Sequence, residues 1–351
     1  MKITHIHIER FRGFQNEDFE VGSLLTAIAG QNGTQKSTLL GIITQTFTLK
    51  TEDSMRVEKP LCGGSYISAF KDKFRLSPTF DKPKGHEWTI SFDAGMDDFT
   101  VESIKRTGDP NVRFWKKGAR QEGDGYISFP TIFLSLKRLV PVAEEAKIIT
   151  DDTLLTQEEL NEFKQLHNKI LIAQTPISSA TTITSKNKQS IGVSTELYDW
   201  NQNSMGQDNL GKIILALFSF KRLHDKYPRQ YKGGILAIDE MDATMYPASQ
   251  VELLKVLRKY ASKLNLQILF TTHSMSLLKA MDDLVQEVTK KEETANQAKI
   301  LYLKKVDDKI AIKQGVNFKG IQLDLNVVAE GNNRNLSSTY KCNFLGADNK
   351  Q

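Results

Sequence analysis

Alternation opens the chain. In residues 3–8, Ile3, His5 and His7 fall on one face and Thr4, Ile6 and Ile8 on the other, the pattern of a strand with at least one buried face. A polar stretch at 9–15 turns the chain, and the apolar run 24–29 then reads as a strand inside a sheet. It runs directly into GQNGTQKS at 30–37, followed by a helical pattern over 38–47. Strict alternation at 88–93 and 99–104, a turn at Gly108, Asp109 and Pro110, and the segment 112–115 predict antiparallel strands, with a further buried strand at 131–136. Residues 140–200 are mostly polar. They hold one helix, capped by Thr156, with Glu158 and Glu159 in its first turn and Leu160, Phe163 and Leu166 on its apolar face. The Ser/Thr-rich stretch 175–190 reads as a mobile loop. Helices near 209–223 and 249–264 then alternate with strands at 234–239 and 267–271, and 300–303 pairs with 309–312 as a hairpin. No internal repeat or long heptad run is present.

Composition narrows the class. With 39% hydrophobic and 25% charged residues among 351, the chain is globular, of one large domain or two ordinary ones. A net charge of +5 permits nucleic-acid contact without arguing for it. Cys62 and Cys342 lie in no CxxC or Cys/His spacing, which speaks against a disulfide framework or structural zinc and fits a reducing compartment. The N-terminus has no secretory apolar core, and no run approaches the ~20 apolar residues a membrane helix needs. The expectation is a soluble, cytoplasmic protein.

Four segments carry chemistry. In the loop 30–37, backbone N–H groups and a helix N-terminus suit phosphate, Lys36 would reach the outer phosphates and Ser37 would hold Mg²⁺. Asn32, Gly33, Thr34, Gln35 and Thr38 complete the candidate binding loop, although Gln35 stands where the pattern asks for glycine. An ordinary Gly-rich turn is the alternative. The apolar strand 235–239 ends in Asp239 and Glu240; Asp239 would hold Mg²⁺ through water and Glu240 would polarise the attacking water. The strand 267–271 leads to His273, a candidate γ-phosphate sensor. Finally, SMGQD at 204–208 opens a helix at which Ser204 and Gly206 offer donors to an anion; alone it is also a plain helix cap.

In this order the four segments resemble those of ABC-type ATPases over roughly residues 1–280, closest to the soluble branch that includes SMC-type repair ATPases and OLD-family nucleases. The segment IERFRGF at 8–14 resembles that branch's N-terminal strand turn, implying that Arg12 contacts nucleotide. DEMDATMYP at 239–247 resembles its Asp-Glu-Pro-Glu segment, and the loop and compact size are most similar to PtuA-type ATPases of Septu and retron anti-phage systems. The resemblance implies an α/β fold: a P-loop ATPase head with a mixed sheet, an antiparallel β subdomain and a short helical insertion. Expected boundaries are 1–139 and 201–300 for the two ATPase lobes, 140–200 for the insertion and 301–351 for a C-terminal hairpin and tail. It also implies ATP and Mg²⁺ as ligands, a homodimer or higher oligomer, and a partner nuclease, HNH-type by resemblance.

Departures bear on activity. Gln35 replaces a glycine, which points to slow hydrolysis; Tyr246 occupies the D-loop aspartate position, and Gln121 is the candidate Q-loop residue. The rival readings are a repair or OLD-like ATPase acting directly on nucleic acid, a transporter subunit and a non-hydrolysing nucleotide-bound scaffold. For the second, the signature lies too far beyond the loop. VVAEG at 327–331 resembles the start of a Toprim nuclease domain, but too little chain follows it for the rest of such a site. None of the six histidines forms an HNH-type cluster. The reading favoured is a nucleotide-gated dimeric clamp.

Overall fold

Continuous apolar runs bury on both faces, and in this protein they collect into one central sheet. The structure, a computed structural model, describes residues 1–50, 52–66, 73–93, 95–105, 112–118, 125–139, 149–151, 154–173, 175–184 and 189–326. Gln121, Cys342, the turn at 108–110 and the segment 327–331 lie outside them. The central sheet orders β3 (Leu25–Gly30), β9 (Thr131–Leu134), β13 (Gly234–Ile238), β14 (Leu266–Thr272), β15 (Ala298–Val306) and β16 (Lys309–Lys313) as β16-β15-β3-β14-β13-β9. All neighbours are parallel except the β15–β16 hairpin.

Period-two alternation divides the sheet's side chains between two layers. Leu25, Ala27, Leu236, Ile268 and Phe270 join a core with helices α3 (Met205–Lys226), α4 (Pro247–Lys263) and α5 (Met275–Val288). Ile28, Ile235, Ala237, Leu269 and Leu301 join a second core with α1 (Lys36–Thr44) and an antiparallel sheet. That sheet orders β1 (Ile3–Phe11), β2 (Phe14–Glu20), β5 (Glu87–Phe92), β6 (Phe99–Lys105) and β7 (Val112–Lys116) as β2-β1-β5-β6-β7, as the alternation predicts. β4 (Phe47–Thr48) and β8 (Ile127–Ser128) form a short parallel pair.

Between the lobes, α2 (Gln157–Leu171) begins with the expected Thr156 cap, completed into a capping box by Glu159. The stretch expected to be a mobile loop is instead largely strand. β10 (Ile149–Asp151), β11 (Ser179–Thr184) and β12 (Gln189–Ser194) form a three-stranded antiparallel sheet. Threonine is β-branched and suits a pleated surface, and Ile183, Ile191 and Val193 bury beneath it. The expected boundary at 300/301 falls within β15, which pairs with β3, so the hairpin forms the edge of the central sheet. α3 also starts at Met205, earlier than apolar periodicity implies, because its cap lies in a polar segment.

Candidate functional site

The loop after β3 is shaped by backbone needs. Gly30 has φ 151°, and a Cβ there would stand 2.5 Å from the Leu303 carbonyl oxygen. Gly33 is also left-handed, at φ 82°. The Thr34 hydroxyl donates to the Gln31 carbonyl at 2.8 Å and closes the loop. Gln35 adopts φ 63°, ψ 31°, the left-handed conformation that a glycine would take without strain. Its side chain runs over the β1–β2 turn: a Cβ on Gly13 would meet Gln35 Nε2 at 2.7 Å. Room for the Gln35 side chain is thus provided by a glycine elsewhere. Lys36 folds back, its Nζ donating to the carbonyls of Gly30 at 2.9 Å and Gln31 at 3.0 Å. Burial lowers its pKa, partly offset by Glu240, Asp239 and Asp242. Asn32 and Ser37 are exposed, and Thr38 is half-buried in the first turn of α1.

Opposite stands the acidic tip of β13. Ser37 Oγ donates to Asp239 Oδ1 at 2.8 Å and Thr271 Oγ1 donates to the same oxygen at 2.7 Å. Glu240 follows in a left-handed turn, φ 49°, its N–H donating to Thr271 Oγ1 at 2.6 Å. Arg138, 2% exposed, clamps the turn: Nη2 donates to the Glu240 carbonyl at 2.8 Å and Nε to Asn209 Oδ1 at 2.7 Å. Asn209 Nδ2 in turn donates to the Ala243 carbonyl at 2.9 Å. Burial drops the Arg138 pKa to about 10 despite three nearby acids. Gln250 Nε2 donates to the Met245 carbonyl, while the Ser274 hydroxyl donates to Gln250 Oε1. His273, on this same edge, has its pKa lowered by burial and by Lys36, against Asp242, Glu240 and Asp239. The imidazole is therefore neutral at pH 7.

Lys36, Ser37, Asp239, Glu240 and His273 thus share one end of the sheet, within each other's electrostatic reach. The remaining candidates are placed differently. Ser204 caps α3 in a capping box: its Oγ accepts from Gln207 N, and its own N–H donates to Gln207 Oε1 at 2.9 Å. Its N–H is therefore not free, contrary to expectation, and the first-turn amides left for a ligand are those of Met205 and Gly206. A Cβ on Gly206 would stand 2.5 Å from the Thr244 carbonyl oxygen, so glycine permits the helix to abut the turn after Glu240. None of the described contacts joins Ser204 or Gly206 to the phosphate loop. Arg12, at φ 52°, donates through Nε and Nη2 to both oxygens of Asp81, each at 3.1 Å, and through Nη2 to the Arg75 carbonyl at 2.7 Å. Tyr246 caps α4 and its hydroxyl donates to the Leu171 carbonyl.

Sequence reading missed Arg138, Asn209, Thr271 and Gln250. Thr271 carried a signal, a hydroxyl ending a buried strand; Arg138 carried none, because an arginine in a polar stretch reads as surface. Ser37 and Asp239 are hard oxygen donors that suit Mg²⁺. Among the described residues no group of three or more His, Cys, Asp or Glu could hold a metal alone.

A Lys-Ser loop at a helix N-terminus, facing an acid-tipped parallel strand, is the arrangement of a P-loop ATPase. Consistent with this, a family model described as AAA ATPase domain matches residues 1–190 and 135–278, and the chain belongs to that family. No curated protein matches the sequence significantly. The fold is that of an SMC head. A crystal structure of SmcHead bound to the C-winged helix domain of ScpA is 14% identical with a TM-score of 0.53, covering 92% of this chain and 100% of that one. The SMC head domain from Thermotoga maritima (14% identity, TM-score 0.48) covers 90% of this chain and 100% of its own. An Smc head with an extended coiled coil bound to a ScpA domain derived from Pyrococcus furiosus (13%, 0.47) covers 92% and 98%. Among the described residues no helix is long and apolar enough to cross a membrane.

Proposed function

We propose that this protein binds and hydrolyses MgATP as a nucleotide-gated homodimeric clamp, and that it serves an anti-phage defence system by controlling a partner nuclease. The observation carrying the nucleotide part is the Ser37–Asp239 hydrogen bond, which joins the phosphate loop to the acidic strand with Glu240 one residue on. Bound Mg²⁺, held by Ser37 and Asp239, would neutralise charge on the phosphates. Lys36 would exchange the Gly30 and Gln31 carbonyls for phosphate oxygens. Glu240 would take the proton of the attacking water, and neutral His273 would hydrogen-bond the γ-phosphate. Met205 and Gly206 amides of a second copy would close the site, since in this chain they lie apart from the loop.

The defence role rests on the similarity to PtuA-type ATPases. The nuclease role follows from the lack of a nuclease cluster among the described residues, and the SMC head solved with ScpA gives precedent for a head that engages a partner. The test is paired. Glu240→Gln should bind ATP normally yet hydrolyse it ~10²–10⁴-fold more slowly, as loss of a general base does; Lys36→Ala should fail to bind. Normal turnover in Glu240→Gln would remove it as the base. Purification from the native host with no co-purifying nuclease in either nucleotide state would overturn the partner reading.

A further inference from the structure

Thr271 lies near the end of β14, a strand buried along its whole length, and is itself 1% exposed. Its hydroxyl has one proton, which goes to Asp239 Oδ1 at 2.7 Å, and a lone pair takes the Glu240 N–H at 2.6 Å. Its carbonyl takes the Met241 N–H at 3.0 Å. One residue of β14 thus holds three successive residues at the tip of β13. A valine would have nearly the same shape, suit the strand as well and keep the Met241 bond. Packing and strand propensity therefore do not call for the hydroxyl; the two polar groups it joins do.

Those two groups have different tasks in the reading above: Asp239 would hold Mg²⁺ and Glu240 would activate water. Asp239 Oδ1 also accepts from Ser37 Oγ at 2.8 Å, but Ser37 is exposed and water can compete for that bond. The Thr271 bond lies in the interior, where a hydrogen bond left unmade is costly. It is the lasting constraint on rotation of the carboxylate. At Glu240 the constraint falls on the backbone. A φ of 49° is a left-handed turn that a residue other than glycine keeps only when its surroundings hold it. Thr271 holds the Glu240 N–H and Arg138 holds its carbonyl.

We propose that Thr271 is a positioning residue that couples the metal-holding carboxylate to the proposed base, one hydroxyl setting the Asp239 rotamer and the Glu240 backbone together. This inference rests on the nucleotide reading above and adds to that site a residue that touches neither substrate nor ion. Thr271→Val removes the hydroxyl and Thr271→Ser keeps it. In the metal-free protein the Glu240 amide should exchange with deuterium faster in Thr271→Val than in the parent. With ATPγS present, the Mg²⁺ affinity read by calorimetry should fall about 10- to 100-fold in Thr271→Val, the usual cost of removing a partner of a metal ligand. Its kcat at saturating Mg²⁺ should fall by a similar factor while KM for ATP holds. Thr271→Ser should match the parent in all these readouts. Parental Mg²⁺ affinity and kcat in Thr271→Val overturn the inference and leave the hydroxyl a buried polar group merely satisfied. So does an equal loss in Thr271→Ser, or a KM that rises as kcat falls, since either marks a packing defect. Failure of the unsubstituted protein to bind ATPγS with Mg²⁺ is a separate result, which sinks the nucleotide reading and the coupling with it.

Discussion

Gln35 shows how one residue can break a motif and keep its geometry. Its left-handed backbone costs about 1 kcal/mol relative to glycine, and its amide finds room only because residue 13 has no side chain. Gln35→Gly should therefore retain ATP hydrolysis and raise the thermal midpoint by about 2 °C; loss of hydrolysis would give the glutamine a positive role. His167 offers a second residue-scale prediction. It is 2% exposed on α2, and neither ring nitrogen has a hydrogen-bond partner among the described residues, so burial drops its pKa to about 4. The unfolded imidazole takes a proton near pH 6.5 while the folded one resists until about 4. Stability is thus whole above pH 6.5 and falls on acidification through that window, by about 3 kcal/mol at most. In His167→Leu, urea unfolding at pH 7 and pH 4.5 should show a smaller acid loss than in the parent. An equal loss would place the acid sensitivity elsewhere.

At the scale of elements, the turn bearing Glu240, the proposed base, is held from two sides. Arg138 lies in the short helical turn 136–139 after β9 and Asn209 rises from α3, and together they hold the carbonyls of Glu240 and Ala243. Any tilt of α3 must therefore be felt at Glu240. Asn209→Leu should leave ATP affinity unchanged, since Asn209 touches no phosphate-loop residue among the described contacts, but lower kcat by displacing Glu240. It should also cost about 1–3 kcal/mol by leaving Arg138 Nε buried without its acceptor. Unchanged kcat with the same stability loss would mean that the pair only braces the fold.

The whole molecule is informative in what it holds apart. Gly206 abuts the turn after Glu240 rather than the loop that would bind phosphate, so the proposed clamp would complete its site with a second copy. Ser204→Arg should leave ATP binding near normal and abolish hydrolysis, because the exposed helix start would present a bulky cation to the approaching copy. Mixing Ser204→Arg with Lys36→Ala protein should restore partial turnover, since one composite site in each mixed dimer is intact. Full activity of Ser204→Arg alone would show that the site is not shared. The C-terminal hairpin and α6 (Phe318–Asn326) border the loop 30–37. Gln31 Nε2 donates to the Asp324 carbonyl at 3.3 Å, and the Leu303 carbonyl excludes any side chain at residue 30.

The phosphate loop, the acidic strand end, His273 and the capped helices were legible in sequence because each is local. A buried strand needs an unbroken apolar run, a left-handed turn favours glycine, and a helix start needs a cap. The strict alternation of 88–93 and 99–104 announced the antiparallel layer for the same reason. What no local rule could supply was partnership across the chain. That β15 pairs with β3, that Thr-rich 179–184 is strand, that Arg138 braces Glu240 and that Gly13 makes room for Gln35 all depend on groups brought together only when the two cores close on the central sheet. Burial then decides the rest: a polar side chain removed from water must find its partners wherever the fold places them.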